Sequence, residues 1–146
     1  MKHALSVAAL CCGLAGIPAA RAGEHFCGRP TPHPIDLAFA AATERSGGVT
    51  ADVRDAQSAA WEAWDQELNR VYAALVAATA PEARTVLRAA QRAWLAFDEA
   101  QARWDAALRA DQGTSAAIEV GGAALARRRA RVCELAADLE QRRDEP

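Results

Sequence analysis

Apolar residues along this chain return at intervals of three and four over most of its length, and nowhere alternate with period two. Trp61, Trp64, Leu68, Val71, Tyr72, Leu75 and Val76 mark one face of a helix opened by Thr50 as N-cap, with Asp52 and Asp55 near the positive end of its dipole. Thr79-Ala80-Pro81 ends that pattern, and Pro81 fits the first turn of a following helix. That helix, about 82–109, carries Leu87, Ala90, Trp94, Phe97, Trp104 and Leu108 in a near-heptad series. After a turn at Gly113-Thr114-Ser115, Ile118, Leu125, Val132 and Leu139 fall seven apart, with Leu135 filling the stripe. Gly121-Gly122 weakens the start of this last helix, since glycine costs up to about 1 kcal/mol relative to alanine.

Ahead of these three long elements, Ile35 to Arg45 reads as a short helix entered through Pro34 or capped by Asp36 and stopped by Ser46-Gly47-Gly48. Residues 23–34 carry Pro30, Pro32 and Pro34 and read as an extended arm. A short Pro-containing link makes its two flanking helices antiparallel, and the remaining elements can cover their shared apolar face. The expected fold is therefore all-α: a small up-and-down bundle of three long helices plus one short N-terminal helix, a single domain over 35–143. Trp94 belongs to the expected core, where truncation to alanine costs about 3–5 kcal/mol.

The first 22 residues fit a secretory signal: Lys2, an apolar run from Ala4 to Ile17, and Ala20-Arg21-Ala22 as a cleavage site. An apolar run of about 14 residues falls short of the roughly 20 needed to span a bilayer, so no stable membrane span is expected. Acylation at Cys11 or Cys12 is the lesser alternative, because Leu10 occupies a position where such sites want a small residue. Cleavage near Ala22 directs the chain to the periplasm or the exterior. It also removes Lys2 and Arg21, shifting the formal net charge from −2 to −4, a balance that argues against nucleic-acid binding. Of four cysteines only Cys27 and Cys133 then remain. An even count in an oxidising compartment favours one disulfide between them, against two unpaired thiols.

Candidate chemistry is sparse. His25, Cys27 and His33 could approach one soft metal ion, but three such residues on a Pro-rich arm more simply form a solvated terminus, and neither metal nor cofactor is expected. Arg84, Arg88 and Arg92 stripe the third helix, while Arg127, Arg128, Arg129 and Arg131 crowd the fourth. With Glu82, Glu99 and Glu134 nearby, these read as solvated faces laced by surface ion pairs. Asp98, Glu99 and Asp105 also read as solvated charge, since adjacent helical residues point about 100° apart and cannot converge on a sugar. No hydroxyl or thiol has a histidine suited to triad chemistry, so an enzyme is not expected. The four tryptophans read as core rather than as a ligand pocket.

Leu68-Asn69-Arg70-Val71-Tyr72, followed by Gln91-Arg92-Ala93-Trp94 and Phe97, resembles the LprI-like lysozyme-inhibitor family of small secreted or periplasmic helical proteins. The similarity runs from about Pro34 to Leu139. Its motif residues Leu68, Asn69, Tyr72, Gln91, Trp94 and Phe97 read as structural, with Asn69 and Gln91 hydrogen-bonding between helices. The chain departs from the family at Ala42, Ala56 and Ala102, where relatives carry cysteines, and at Phe97-Asp98-Glu99, where they carry Phe-Arg-Asp. The resemblance implies a protein that binds and occludes a lysozyme. The competing reading is a non-catalytic envelope interaction or structural module without lysozyme activity. Asp98, Glu99, Arg88 and Arg92 are the candidate partner surface.

Overall fold

The structure, a computed structural model, describes residues 26–144. The signal segment with Cys11, Cys12 and the Ala22 site, and His25, lie outside the described residues. Four helices follow one another: α1 (Pro34–Arg45), α2 (Thr50–Ala78), α3 (Pro81–Leu108) and α4 (Thr114–Asp144). The all-α bundle of one short and three long helices is as the hydrophobic periodicity indicates. Helix starts differ in detail. Val49 rather than Thr50 precedes the first turn of α2 and makes no side-chain cap. At α1 the cap is His33, whose Nδ1 accepts from the Ile35 N–H at 3.3 Å with Pro34 inside the first turn; Asp36 is engaged elsewhere.

Packing order departs from chain order. α4 packs against both α2 and α3, and α1 lies on α2. The core is thus an α2–α4 seam: Ala60, Trp64, Leu68, Val71 and Leu75 from one helix meet Leu125, Val132, Leu135 and Leu139 from the other. Trp64, Val132 and Leu135 are the largest fully buried side chains. The face that α2 was expected to share with α3 is covered by α4 instead. Leu87 and Trp94 reach the core only in part. Phe97, Trp104 and Leu108, expected to be inside, are exposed. The reason is that the residues α3 turns inward are Gln91, Asp98 and Asp105, a polar series seven apart.

Close approach of α2 and α4 explains the Gly121-Gly122 pair. A Cβ on Gly121 would sit 2.7 Å from Oε1 of Gln57, a buried side chain whose Nε2 donates to the Ile118 carbonyl at 2.9 Å. Helix propensity is given up there so that this interhelical hydrogen bond can form.

Residues 26–29 of the arm form a tight turn instead of running extended. Cys27 and Gly28 both have positive φ (52° and 76°), and the Arg29 N–H donates to the Phe26 carbonyl at 2.9 Å. The turn aims Cys27 at Cys133 on α4, and the two form a disulfide with Cα atoms 5.1 Å apart across 106 residues. In the chain-entropy model closing so long a loop contributes about 4–5 kcal/mol. It also holds Phe26 and His33 against Trp64, with ring centroids 5.4 and 4.6 Å away. The arm is therefore a lid on the largest core side chain.

Candidate functional site

α4 carries six arginines, and the bundle uses the four between residues 127 and 131 as interhelical ties. Arg129 reaches α1, where Nε and Nη2 contact the Asp36 carboxylate at 2.7–3.0 Å. Arg128 bridges α2 and α3, with Nη1 donating to Asp65 at 2.6 Å and Nη2 to Asp98 at 3.1 Å. Arg127 spans two turns of α3, donating to Asp98 at 2.8 Å and to Asp105 at 2.5 Å. Arg131 donates to the Gln91 side-chain oxygen at 3.0 and 3.1 Å. The helical repeat brings this about: Gln91, Asp98 and Asp105 stack along one line of α3, opposite Arg131, Arg128 and Arg127 on α4.

These pairs correct the expectation of solvated charge. Asp98, Asp105 and Arg128 are buried, and Arg127, Arg129 and Arg131 are half-buried. Burial works against the charge on Arg127, but the hydrogen bonds it donates to Asp98 and Asp105 outweigh it and raise the pKa of the guanidinium. The Asp105 carboxyl is held below its ordinary value, first by a hydrogen bond from Gln101 and then by Arg127, against desolvation. Such a carboxylate is the opposite of the raised acid that glycoside hydrolysis requires. Arg128 also lies over the rings of Trp61 and Trp94, 4.5 and 5.2 Å from their centroids. Its buried Nε has no hydrogen-bond acceptor among the described residues, and these π faces are its neighbours in place of water.

The motif residues separate into distinct environments. Leu68 is in the core and Tyr72 and Trp94 pack against it. Gln91 is buried and ties α3 to α4, whereas Asn69 is exposed and donates along its own helix to Asp65 at 3.1 Å rather than to another helix. Phe97 projects outward. Of the residues considered as a partner surface, Arg88, Arg92 and Glu99 are exposed, with Glu99 paired to Arg103 at 2.6 Å. Asp98 is not available to a partner, because it is buried against Arg127 and Arg128. Cys27 is committed to the disulfide, and His33 packs at a tilt against both Phe26 and Trp64, which stack on each other. Ala42 and Ala56 line one apolar groove between α1 and α2, of about 300 Å³.

Sequence reasoning missed Asp36, Asp65, Arg127, Arg128, Arg129 and Arg131 as interhelical partners. The seven-residue spacing of Gln91, Asp98 and Asp105 was the available signal, readable as a polar analogue of a hydrophobic seam.

The far end of the bundle is built from two loops. In the first, residues 46–49, Ser46 Oγ donates to the Thr43 carbonyl and accepts from the Gly48 N–H, while Gly47 and Gly48 supply positive φ. The second, residues 109–113, adjoins it through the α2–α4 contact at Gln57 and Ile118. Exposed Glu44, Asp52, Asp55, Asp111 and Glu119 surround these loops, alongside Arg45, Arg54 and Arg109. Arg109 is tied to Glu119 at 2.9 Å, so the end has an acidic excess.

Fold, staple and charged seam together define a small disulfide-stapled helical bundle whose inner polar groups are spent on its own assembly. A family model described as lysozyme inhibitor LprI matches residues 40–135, and the chain belongs to that family. No curated protein and no solved structure matches it. Among the described residues no helix is long and apolar enough to cross a membrane.

Proposed function

We propose that this protein is a lysozyme inhibitor of the LprI family, exported to the periplasm or the exterior and acting by binding, without catalysis. The observation that carries this reading is the family match over residues 40–135. Lysozymes are cationic and bear a carboxylate-lined groove, so an inhibitor gains encounter rate from an acidic approach face and affinity from a rigid element that fits the groove. The acidic end around loops 46–49 and 109–113 meets both needs. Its first loop is held by internal hydrogen bonds and presents exposed Val49 where it enters α2. The outer face of α3, with Arg88, Arg92 and Glu99, lacks that acidic excess.

Mature protein starting near Gly23 is to be mixed at micromolar concentration with chicken-type and goose-type lysozymes while cell-wall lysis is followed. Slowed lysis, weakened by salt and by Asp52→Lys with Asp55→Lys, is expected. Unaltered lysis with both lysozymes would leave the non-catalytic envelope interaction module as the reading.

A further inference from the structure

One face of α3 is left over when the polar line Gln91, Asp98 and Asp105 is turned toward α4. Val86, Ala90, Ala93, Phe97, Ala100, Trp104 and Ala107 succeed one another at intervals of four and three, and all are exposed. Continued through Leu108, this is a coiled-coil seam in which large side chains alternate with alanines, knobs beside holes. Among the described residues no helix covers it: Val86, Phe97, Trp104 and Leu108 remain 69%, 55%, 59% and 55% exposed.

We propose that this stripe is the interface of a two-fold homodimer in which α3 of one copy packs antiparallel on α3 of the other. Three observations select a second copy. A strict 4-3 repeat fits another α-helix, and here the available helix is its own. Area is sufficient: two aromatic side chains of about 150–250 Å² each, more than half exposed, with Val86, Leu108 and the alanines amount to roughly 500 Å² per copy. The pair thus buries about 1,000 Å² in total, above the crystal-packing range and at the low end for a specific interface. Charge placement agrees with the antiparallel arrangement. Glu82 and Arg103 flank the seam on the same side, three heptads apart, so each meets its opposite in the second copy at both ends of the contact. Closed two-fold pairing also removes the apolar patch from solvent without leaving a free end to propagate. The dimer goes beyond lysozyme inhibition and leaves the acidic loop end unobstructed as a separate surface.

Sedimentation equilibrium of the mature protein from 1 to 300 μM tests this. The weight-average mass should rise from one chain to two, with half-association in the micromolar to tens-of-micromolar range. Phe97→Glu should weaken association at least 30-fold while the thermal midpoint of the dilute protein moves little. Leu95→Glu, exposed on another side of the same helix, should associate as the parent does. Glu82→Arg should weaken association, and Glu82→Arg with Arg103→Glu should restore it. A single-chain mass at 300 μM, or a dimer undisturbed by Phe97→Glu, would overturn the proposal. Failure of the charge swap to restore association would overturn the antiparallel arrangement. A parent that stays monomeric while Phe97→Glu abolishes lysozyme inhibition would assign the stripe to lysozyme instead.

Discussion

α4 is held in two different ways on its two sides. Toward α2 it presents Leu125, Val132, Leu135 and Leu139 to an apolar wall centred on Trp64. Toward α3 it presents Arg127, Arg128 and Arg131 to Asp98, Asp105 and Gln91. The first contact removes hydrocarbon from water, and its stabilisation scales with area and tolerates small shifts. In the second, ion-pair formation is offset by desolvation, so net stability is small, while removal of one partner leaves a buried charge uncompensated. The difference teaches that α2 and α4 make the stable unit, and that α3 is fixed in register by directional pairs whose geometry admits little sliding.

The largest test of this contrast is Trp64→Ala, which should cost about 3–5 kcal/mol in urea unfolding, since the side chain is 1% exposed and a cavity would remain beneath the arm. On the charged side, Arg128→Ala should cost about 3 kcal/mol by the same measurement, because Asp98 loses a partner and two tryptophan faces lose their cation. Replacing the pair together, Asp98→Leu with Arg128→Met, should cost much less than the sum of the single changes. A sum that is simply additive would show that the charges act independently and that the seam is not a unit.

Trp94 stands between the two regimes. Half-buried, with Arg128 and Arg131 over its ring at 5.2 and 5.8 Å, it should lose about 2 kcal/mol on truncation to alanine, less than its place in the apolar pattern suggests. Acid should loosen the charged side selectively. The folded-state pKa of Asp105 lies below the ordinary aspartate value of about 3.9, so its contribution is complete above that value and is lost as pH falls through the lowered one. The thermal midpoint should therefore decline below about pH 4, and less steeply in Asp105→Asn. Smallest of all, Trp104→Ala at low micromolar concentration should stay within about 0.5 kcal/mol of the parent, because the ring lies outside both contacts.

Much of the bundle was legible beforehand. The α2 stripe through Trp64, Leu68, Val71 and Leu75 and the α4 stripe through Leu125, Val132, Leu135 and Leu139 are buried as their periods require. The Cys27–Cys133 pairing followed from count and compartment. α3 misled because its apolar residues form a clean helical face, and a helical face says only that something can cover it. Its charged residues misled for the complementary reason: a carboxylate is ordinarily solvated unless a partner at hydrogen-bonding distance lets it be buried, and those partners are 22–30 residues away in sequence. The same gap affected the partner surface, where Asp98 looked accessible from its neighbours in the chain and is sealed by α4.

Local rules thus determined what each segment of this protein is: helix period, the stops at Pro81 and at Gly47-Gly48, and the staple between two cysteines depend on residues near one another or on their number. Tertiary structure decided which faces meet. It placed α4 between α2 and α3, paired four arginines with acids or amides on three other helices, and left the α3 apolar stripe outside. Burial of a charge depends on a partner brought from a distant part of the chain, and only the assembled fold supplies that partner.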